Sequence, residues 1–230
     1  MALPVTTIWE IRASATAGNV NGGGFNSARG GTDYTLQDAA QLTNTDGSAA
    51  GGTTFTSLGS TFTSVMVGNI LHITASTGLT VGWYEIVTFT DANNVVLDRT
   101  PGTGTLTTFY VGGAMSLNST LDDEFFETGV GTNGSGAMKY WIKAGSYSLG
   151  EAVAIAAAGG TMAPIVIEGY NTTRGDKPTG TNRPTINGGV SNFNIGANWE
   201  EYNIIHTGTA AVVVTGGTNS KFVNVKITNT

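Results

Sequence analysis

Two short segments near the end of the chain share one alternating pattern of apolar and polar residues. They are Tyr202–Thr207 and Val223–Thr228, which begin at residues 202 and 223 and therefore lie 21 residues apart. A shift of this size is within the range of stacked repeat architectures. An isolated strand of this length cannot bury its apolar face, whereas successive turns stacked in register bury a continuous column. The repeat therefore predicts a solenoid of short strands.

Three runs of residues around this repeat resemble a known family. They are Asn203–Gly208, Ala211–Gly217 and Ser220–Asn229. The runs are similar to turns of the right-handed parallel β-helix of pectate-lyase-like proteins and bacteriophage tailspikes. The resemblance implies that residues 121–230 form the start of a right-handed parallel β-helix. It indicates fold more than activity, because many unrelated functions occur on one solenoid.

The composition favours an all-β protein. Charged residues are 11% of the chain, glycine occurs 34 times, and threonine and asparagine are abundant. Threonine favours strands, while glycine and asparagine adopt positive φ at low cost and suit tight turns. Hydrophobic residues are 40% of the chain and recur at regular spacing, which favours a folded chain over a disordered one.

Charge and cysteine content exclude several classes of function. The net charge of −6 gives no basic footprint for nucleic acid, and the absence of cysteine excludes disulfides and thiolate metal sites. Met1–Glu10 lacks the basic start and apolar core of a secretory signal. No apolar run approaches the roughly 20 residues of a membrane span. We therefore expect a chain that is made in a cytoplasm and, if it works outside the cell, leaves by another route such as assembly into a particle. The resemblance to tailspikes implies a host cytoplasm and the virion.

Residues 1–52 are expected to form an N-terminal strand, a glycine-rich loop and a short helix. Thr6–Arg12 alternates as a strand does, and Thr35–Leu42 has the cap and apolar spacing of a short helix. The loop Gly18–Phe25 is rich in glycine but lacks the lysine of a phosphate loop. We therefore predict no nucleotide site there.

Residues 53–120 are expected to form a small antiparallel β barrel or sandwich. The predicted strands are Phe55–Phe62, Asn69–Thr74, Gly82–Thr90, Val95–Asp98 and Thr108–Val111. The third and fourth of these strands predict a hairpin over the asparagine-rich turn Asp91–Asn94. His72 has no second histidine or carboxylate at ligand spacing, so we predict a hydrogen-bonded strand residue and not a metal ligand.

Residues 121–230 begin with the densest acidic cluster, Leu121–Glu127. Its spacing does not match a calcium-binding EF-hand loop, which favours a solvated helical turn. The strands predicted after it are Lys139–Gly145, Ala163–Tyr170 and Thr185–Gly189, with an alternating or helical lid at Glu151–Ala158 and a polar loop at Asn171–Pro184. The adhesion tripeptide Arg174-Gly175-Asp176 in this loop is interpreted as ordinary turn chemistry.

Alternation within the repeat assigns side chains to the inside or the outside of the solenoid. The predicted inward residues are Val223, Val225 and Ile227 in one copy and Tyr202, Ile204 and His206 in the other. His206 is therefore expected to be buried and hydrogen-bonded. Glu200 and Glu201 are adjacent carboxylates, but neighbours on a strand point to opposite faces, which disfavours a catalytic pair.

The sequence identifies no catalytic, cofactor-binding or metal-binding residue. A polysaccharide lyase on this fold would need acidic ligands and a basic residue on one face of the solenoid. Glu168, Asp176, Lys177 and Glu200 are the only candidates, and their spacing does not support a site. We therefore expect no cofactor and a non-enzymatic role for these residues.

The resemblance implies a structural virion protein, a phage tailspike or tail fibre that is attached to the particle and serves host-surface adhesion. It implies a homotrimer that contacts other virion proteins, and a host surface glycan bound through a distal region not evident here. Because the repeat stops at Thr230 without a polar capping turn, we expect further residues or another chain to cover it. The alternatives are a capsid decoration or cement protein, a cellular surface adhesin, or a polysaccharide lyase or hydrolase on a β-helix.

Overall fold

The computed structural model describes residues 3, 6–13, 20–115, 139–149, 152–154, 164–209 and 214–229. The chain is all-β and divides into two compact units, Val20–Met115 and Met1–Asn19 with Ser116–Thr230. The expected boundaries were at 52/53 and 120/121. In the structure the strand Thr7–Ile11 belongs to the second unit, and the first unit begins at Val20. The predictions for Leu121–Glu127 and for most of Glu151–Ala158 lie outside the described residues.

The strands are numbered in chain order. They are β1 (Thr7–Ile11), β2 (Gly24–Asn26), β3 (Leu42–Ala50), β4 (Thr54–Thr56), β5 (Ile70–Leu79), β6 (Gly82–Asp91), β7 (Asn94–Leu97), β8 (Gly102–Val111), β9 (Lys139–Lys143), β10 (Ser146–Ser148), β11 (Val153–Ala154), β12 (Ile165–Tyr170), β13 (Thr185–Asn187), β14 (Phe193–Ile195), β15 (Trp199–Tyr202), β16 (Ile205–Gly208), β17 (Val214–Gly216), β18 (Lys221–Val223) and β19 (Lys226–Asn229). Single 3₁₀ turns are found at Ser27–Arg29, Tyr34–Leu36, Ser64–Met66 and Gly180–Asn182.

The first unit contains a closed antiparallel barrel of six strands in the order β3-β4-β7-β6-β5-β8. Its core is mostly aliphatic around a phenylalanine cluster, in which Phe109 is in edge contact with Phe55 and stacked near Phe62. The predicted small barrel is confirmed, and so is the hairpin, because β6 and β7 pair with Phe89 opposite Val95. The strand predicted at Phe55–Phe62 is wrong after Thr56, where the chain turns at Ser57.

The short helix predicted at Thr35–Leu42 is wrong. The chain makes one 3₁₀ turn at Tyr34–Leu36, capped by the Asp33 carboxylate, and Gln37 after it has an extended backbone. The carbonyl oxygens of Tyr34 and Gln37 accept hydrogen bonds from Gly113 and Ala114. These long-range bonds replace the next turn of helix, because they occupy the carbonyl groups that the helix would use.

Strand β3 was not expected, because Asn44, Asp46 and Gly47 are poor strand formers. Gly47 has a packing role, since a Cβ atom there would lie 2.4 Å from the ring of Phe55 and 3.0 Å from that of Phe109. The Asp46 carboxylate accepts hydrogen bonds from Ser57 Oγ and, at 2.7 Å, from the Gly59 amide. The residues that weaken the strand propensity thus make room for the core and hold the next turn.

The second unit is built from parallel strands, which we call the stack. Five of its strands form one sheet in the order β18-β15-β12-β9-β1, four form a second in the order β10-β13-β16-β19, and three form a third in the order β11-β14-β17. Tyr202 lies opposite Val223 and His206 opposite Ile227 in the parallel registers. The 21-residue repeat is therefore confirmed as the spacing of neighbouring coils.

Inward side chains form columns through the stack. One column runs Trp9, Tyr140, Ile167, Glu201, and another runs Tyr147, Ile186, His206. Phe222 and Ile227 continue these columns by register in the last coil, where both side chains are exposed. The predicted inward positions of Ile204 and His206 are confirmed, since both are buried. The predictions for Tyr202 and Val223 are wrong, because both are register neighbours on the outer side of the sheet.

Asparagine residues explain this error, because they turn the corners of the stack. Asn203 and Asn224 have φ of 58° and 56°, so alternation does not continue from one strand into the next. Asn224 Nδ2 donates to Asn203 Oδ1 at 2.8 Å, and Asn219 Nδ2 donates to Asn198 Oδ1 at 3.3 Å at another corner. Asparagine tolerates the left-handed conformation better than most residues, and its amide links successive coils.

Candidate functional site on the parallel sheet

The five-stranded sheet of the stack has a charged and aromatic outer face. Its side chains alternate with the buried residues of the column and come from four adjacent strands. We call this surface the outer face. Val166 and Val223 lie on it, and its charged and aromatic residues are Lys139, Trp141, Glu168, Glu200, Tyr202 and Lys221. Because the strands are parallel and in register, the like positions of successive coils form straight rows across this face.

Each charge on the outer face has a neighbour of complementary chemistry. Lys139 Nζ forms an ion pair with Glu168 and lies 3.8 Å from the centre of the Trp141 ring. Lys221 Nζ donates to the Tyr202 hydroxyl at 3.0 Å, and that hydroxyl donates to Glu200. The hydrogen bond to Tyr202 raises the pKa of Lys221. The two lysines balance the two glutamates, so the face can make hydrogen bonds and ring contacts without a net charge.

The structure separates the four residues that the sequence offered for a lyase. Glu168 and Glu200 lie on the outer face on the adjacent strands β12 and β15, whereas Asp176 and Lys177 lie in the loop after β12. Burial acts to raise the pKa of Asp176, but hydrogen bonds from the amides of Asn171, Thr172 and Thr173 lower it overall. The Asp176 carboxylate therefore stabilises a turn, in keeping with the interpretation of the Arg174-Gly175-Asp176 tripeptide as turn chemistry.

A buried acid–base pair lies inside the stack. His206 Nε2 is 2.6 Å from Glu201 Oε1, and the two side chains are 1% and 0% exposed. The ring of Phe193 packs against His206 at 5.0 Å, and Glu201 Oε2 has no hydrogen-bond partner among the described residues. The predicted burial of His206 is confirmed, as is the placement of Glu200 and Glu201 on opposite faces. Glu201 was not predicted as the partner of His206, although two-residue alternation from Trp199 places it inside the stack.

His72 is a structural residue of the barrel, as predicted. It lies in β5, its Nδ1 is 3.0 Å from the Val20 carbonyl oxygen, and its ring stacks on Trp83 with centroids 3.9 Å apart. Burial lowers the pKa of His72 from 6.5 to about 4, although the hydrogen bonds to Val20 and Asn21 oppose that shift. The imidazole is therefore neutral near neutral pH and donates its Nδ1 proton to the Val20 carbonyl group.

Groups of metal ligands and membrane-spanning helices are not found within the part of the chain that the structure describes. There, no group of three histidine, aspartate or glutamate side chains is arranged to hold a metal ion. The helices in the same residues are single 3₁₀ turns, and none of them has the length and apolar character needed to cross a bilayer. The polar features of the stack include the outer face and the Glu201–His206 pair.

Comparisons with known proteins assign the chain to no family. No protein-family model, curated protein or solved structure matches it.

Proposed function

We propose that this chain is a structural virion protein of the tailspike or tail-fibre type, attached to the particle and serving adhesion to the host surface. In this proposal the stack is the start of a right-handed parallel β-helix and the barrel is the particle-proximal module. The observation that carries the proposal is the in-register parallel pairing of successive coils, with a spacing of 21 residues in the last two. Such a stack resists unfolding because each coil pairs with its neighbours through short parallel strands.

The side-chain chemistry of the stack supports a mechanical role. Asparagine amides join the coils at two corners, and the carboxylates of Glu168, Asp176 and Glu200 are all used to hold neighbouring parts of the fold. The outer face, with two aromatic rings among balanced charges, would be the contact surface toward neighbouring subunits. We propose a homotrimer as the working assembly.

Two mass measurements test this proposal. Light scattering of the purified chain should give three times the chain mass of 23.6 kDa. Quantitative mass spectrometry of particles that carry the protein should find a small multiple of three copies per particle, as expected of an appendage at one or a few vertices. Hundreds of copies per particle would contradict the proposal and identify a decoration or cement protein. Absence from particles, with the protein on a cell surface, would identify an adhesin.

A further inference from the structure

We propose that residues 171–184, the loop after β12, act as a strap that fastens the first strand of the stack to its last coil, so that the whole stack opens as one unit. The loop leaves the middle strand of the five-stranded sheet, which has β9 and β1 on one side and β15 and β18 on the other. The first half of the loop runs toward β1, and the second half runs toward β18 on the other side of β12 in the strand order. The inference does not depend on the proposed function.

The first half of the strap is anchored on β1. Arg174 Nε lies 2.7 Å from Glu10 Oε2, and Arg174 Nη2 is also 2.7 Å from that oxygen. The hydroxyl of Tyr170, at the end of β12, donates to the other oxygen of Glu10. Glu10 points to the outer side of the sheet and yet is fully buried. Burial raises the pKa of Glu10 while the Arg174 charge opposes the shift, as expected of a carboxylate covered by the strap.

The second half of the strap is anchored on the last coil. Arg183, only 8% exposed, donates from Nη1 to the main-chain oxygen of Asn224 at 2.5 Å and to its Oδ1 at 3.2 Å. Asn224 Nδ2 donates in return to the Pro178 carbonyl oxygen at 3.0 Å. The same amide group donates to Asn203, so the strap is tied to the asparagine pair that joins the last two coils.

The middle of the strap is stiff enough to connect the two anchors. The Asp176 carboxylate accepts hydrogen bonds from three consecutive backbone amides in a tight turn, and Lys177 follows with φ of 50°. Pro178 is buried and its ring fixes the next φ angle. A displacement at one anchor is therefore passed along a short constrained segment and is not absorbed by a flexible one.

The strap changes how the stack should open. In a simple repeat stack each coil contacts only its neighbours, so the terminal strands open first and independently of each other. Here β1 and β18 are separated by three intervening strands, yet one covalent segment contacts the first strand and the corner after β18. Loosening either anchor should therefore loosen both β1 and the last coil.

Hydrogen exchange on the full chain tests the strap. In Arg183→Gln, amide exchange in β1 should become about tenfold faster, equivalent to about 1.4 kcal/mol, although β1 contains no contact of Arg183. In Arg174→Gln, exchange in β18 and β19 should accelerate by a similar factor. Thr181→Ala, an exposed position in the same loop, is the matched control and should change neither end.

The exchange rate at the anchor distant from each substitution tests the coupling. If each arginine variant accelerates exchange only at its own anchor, the two contacts are separate local features and the inference is overturned. If one variant does not fold, the other still tests the coupling from the opposite end. A Thr181→Ala variant that accelerates exchange at both ends would also overturn it, because the effect would then come from loop composition and not from the anchors.

Discussion

Replacing His206 by isoleucine is expected to destabilise the stack by about 3–5 kcal/mol, the usual cost of removing one partner from a buried pair of ionisable groups. The replacement fills the space with an apolar strand-forming side chain, so the loss is not that of a cavity. It leaves the fully buried Glu201 carboxylate without its 2.6 Å contact, and the other oxygen of that carboxylate already lacks a partner among the described residues. Urea unfolding with hydrogen exchange in β16 measures the change and assigns it to the stack.

The double variant Glu201→Ile with His206→Ile is the control for this prediction. Glu201 follows Ile167 in its column and His206 follows Ile186, so the double replacement makes both columns continuously apolar. Replacing a whole buried pair by apolar residues is often neutral or stabilising, so stability should return to within about 1 kcal/mol of the native chain. A double variant as unstable as His206→Ile would show that the pair has a positioning role that apolar packing cannot replace.

Acidification from pH 6.5 to about 4 is expected to weaken the barrel by about 3 kcal/mol through His72 alone. The folded barrel keeps His72 neutral down to about pH 4, whereas the unfolded chain takes up a proton near pH 6.5. The free energy of unfolding of the barrel is therefore not reduced by His72 above pH 6.5. It decreases as the pH is lowered from 6.5 to about 4, and it does not decrease further through His72 below pH 4.

The variant His72→Gln isolates this effect. Glutamine can donate to the Val20 carbonyl group and has no proton to gain in this range, so its barrel should lose less stability on acidification. The measurement is the pH dependence of hydrogen exchange in β5 and β8, with an NMR titration of the imidazole in the native protein. An imidazole that titrates near 6.5 in the folded barrel, or equal pH dependence in both proteins, would contradict the prediction.

The repeating parts of this fold could be predicted from sequence because local periodicity specifies them. The 21-residue register of the last two coils and the hairpin over Asp91–Asn94 both follow from alternation and turn residues. Strand β3 could not be predicted in this way, because Gly47 is selected by the rings of Phe55 and Phe109 and not by strand propensity. The helix expected at Thr35–Leu42 failed for a similar reason, since its carbonyl groups bond to Gly113 and Ala114.

The polar sites were less predictable because their contacts join distant residues or depend on a corner conformation. The Arg174–Glu10 contact joins residues 164 positions apart, and no local pattern indicates it. The burial of Glu201 follows from alternation only if Asn203 is known to end the strand, and a positive φ at that asparagine is set by the stack. Lys139 and Glu168 form an ion pair only because β9 and β12 are neighbours in the sheet.

Successive coils lie parallel, and the last two are offset by 21 residues; a pair of engineered cysteines tests this register. The chain contains no cysteine, so Thr207→Cys with Thr228→Cys introduces the only thiols. These positions are opposite in the parallel register of β16 and β19, and adjacent strands lie about 4.8 Å apart, within the range a disulfide can bridge. Thr207→Cys with Ile227→Cys is the matched control, because position 227 points into the stack.

Non-reducing mass spectrometry of the oxidised monomer gives the result. If the register is as described, the 207/228 pair should form an intramolecular disulfide rapidly, and the 207/227 pair should form one slowly or not at all. Equal bridging of both pairs, or bridging of the control alone, would contradict the register, and with it the stack on which the proposed function rests.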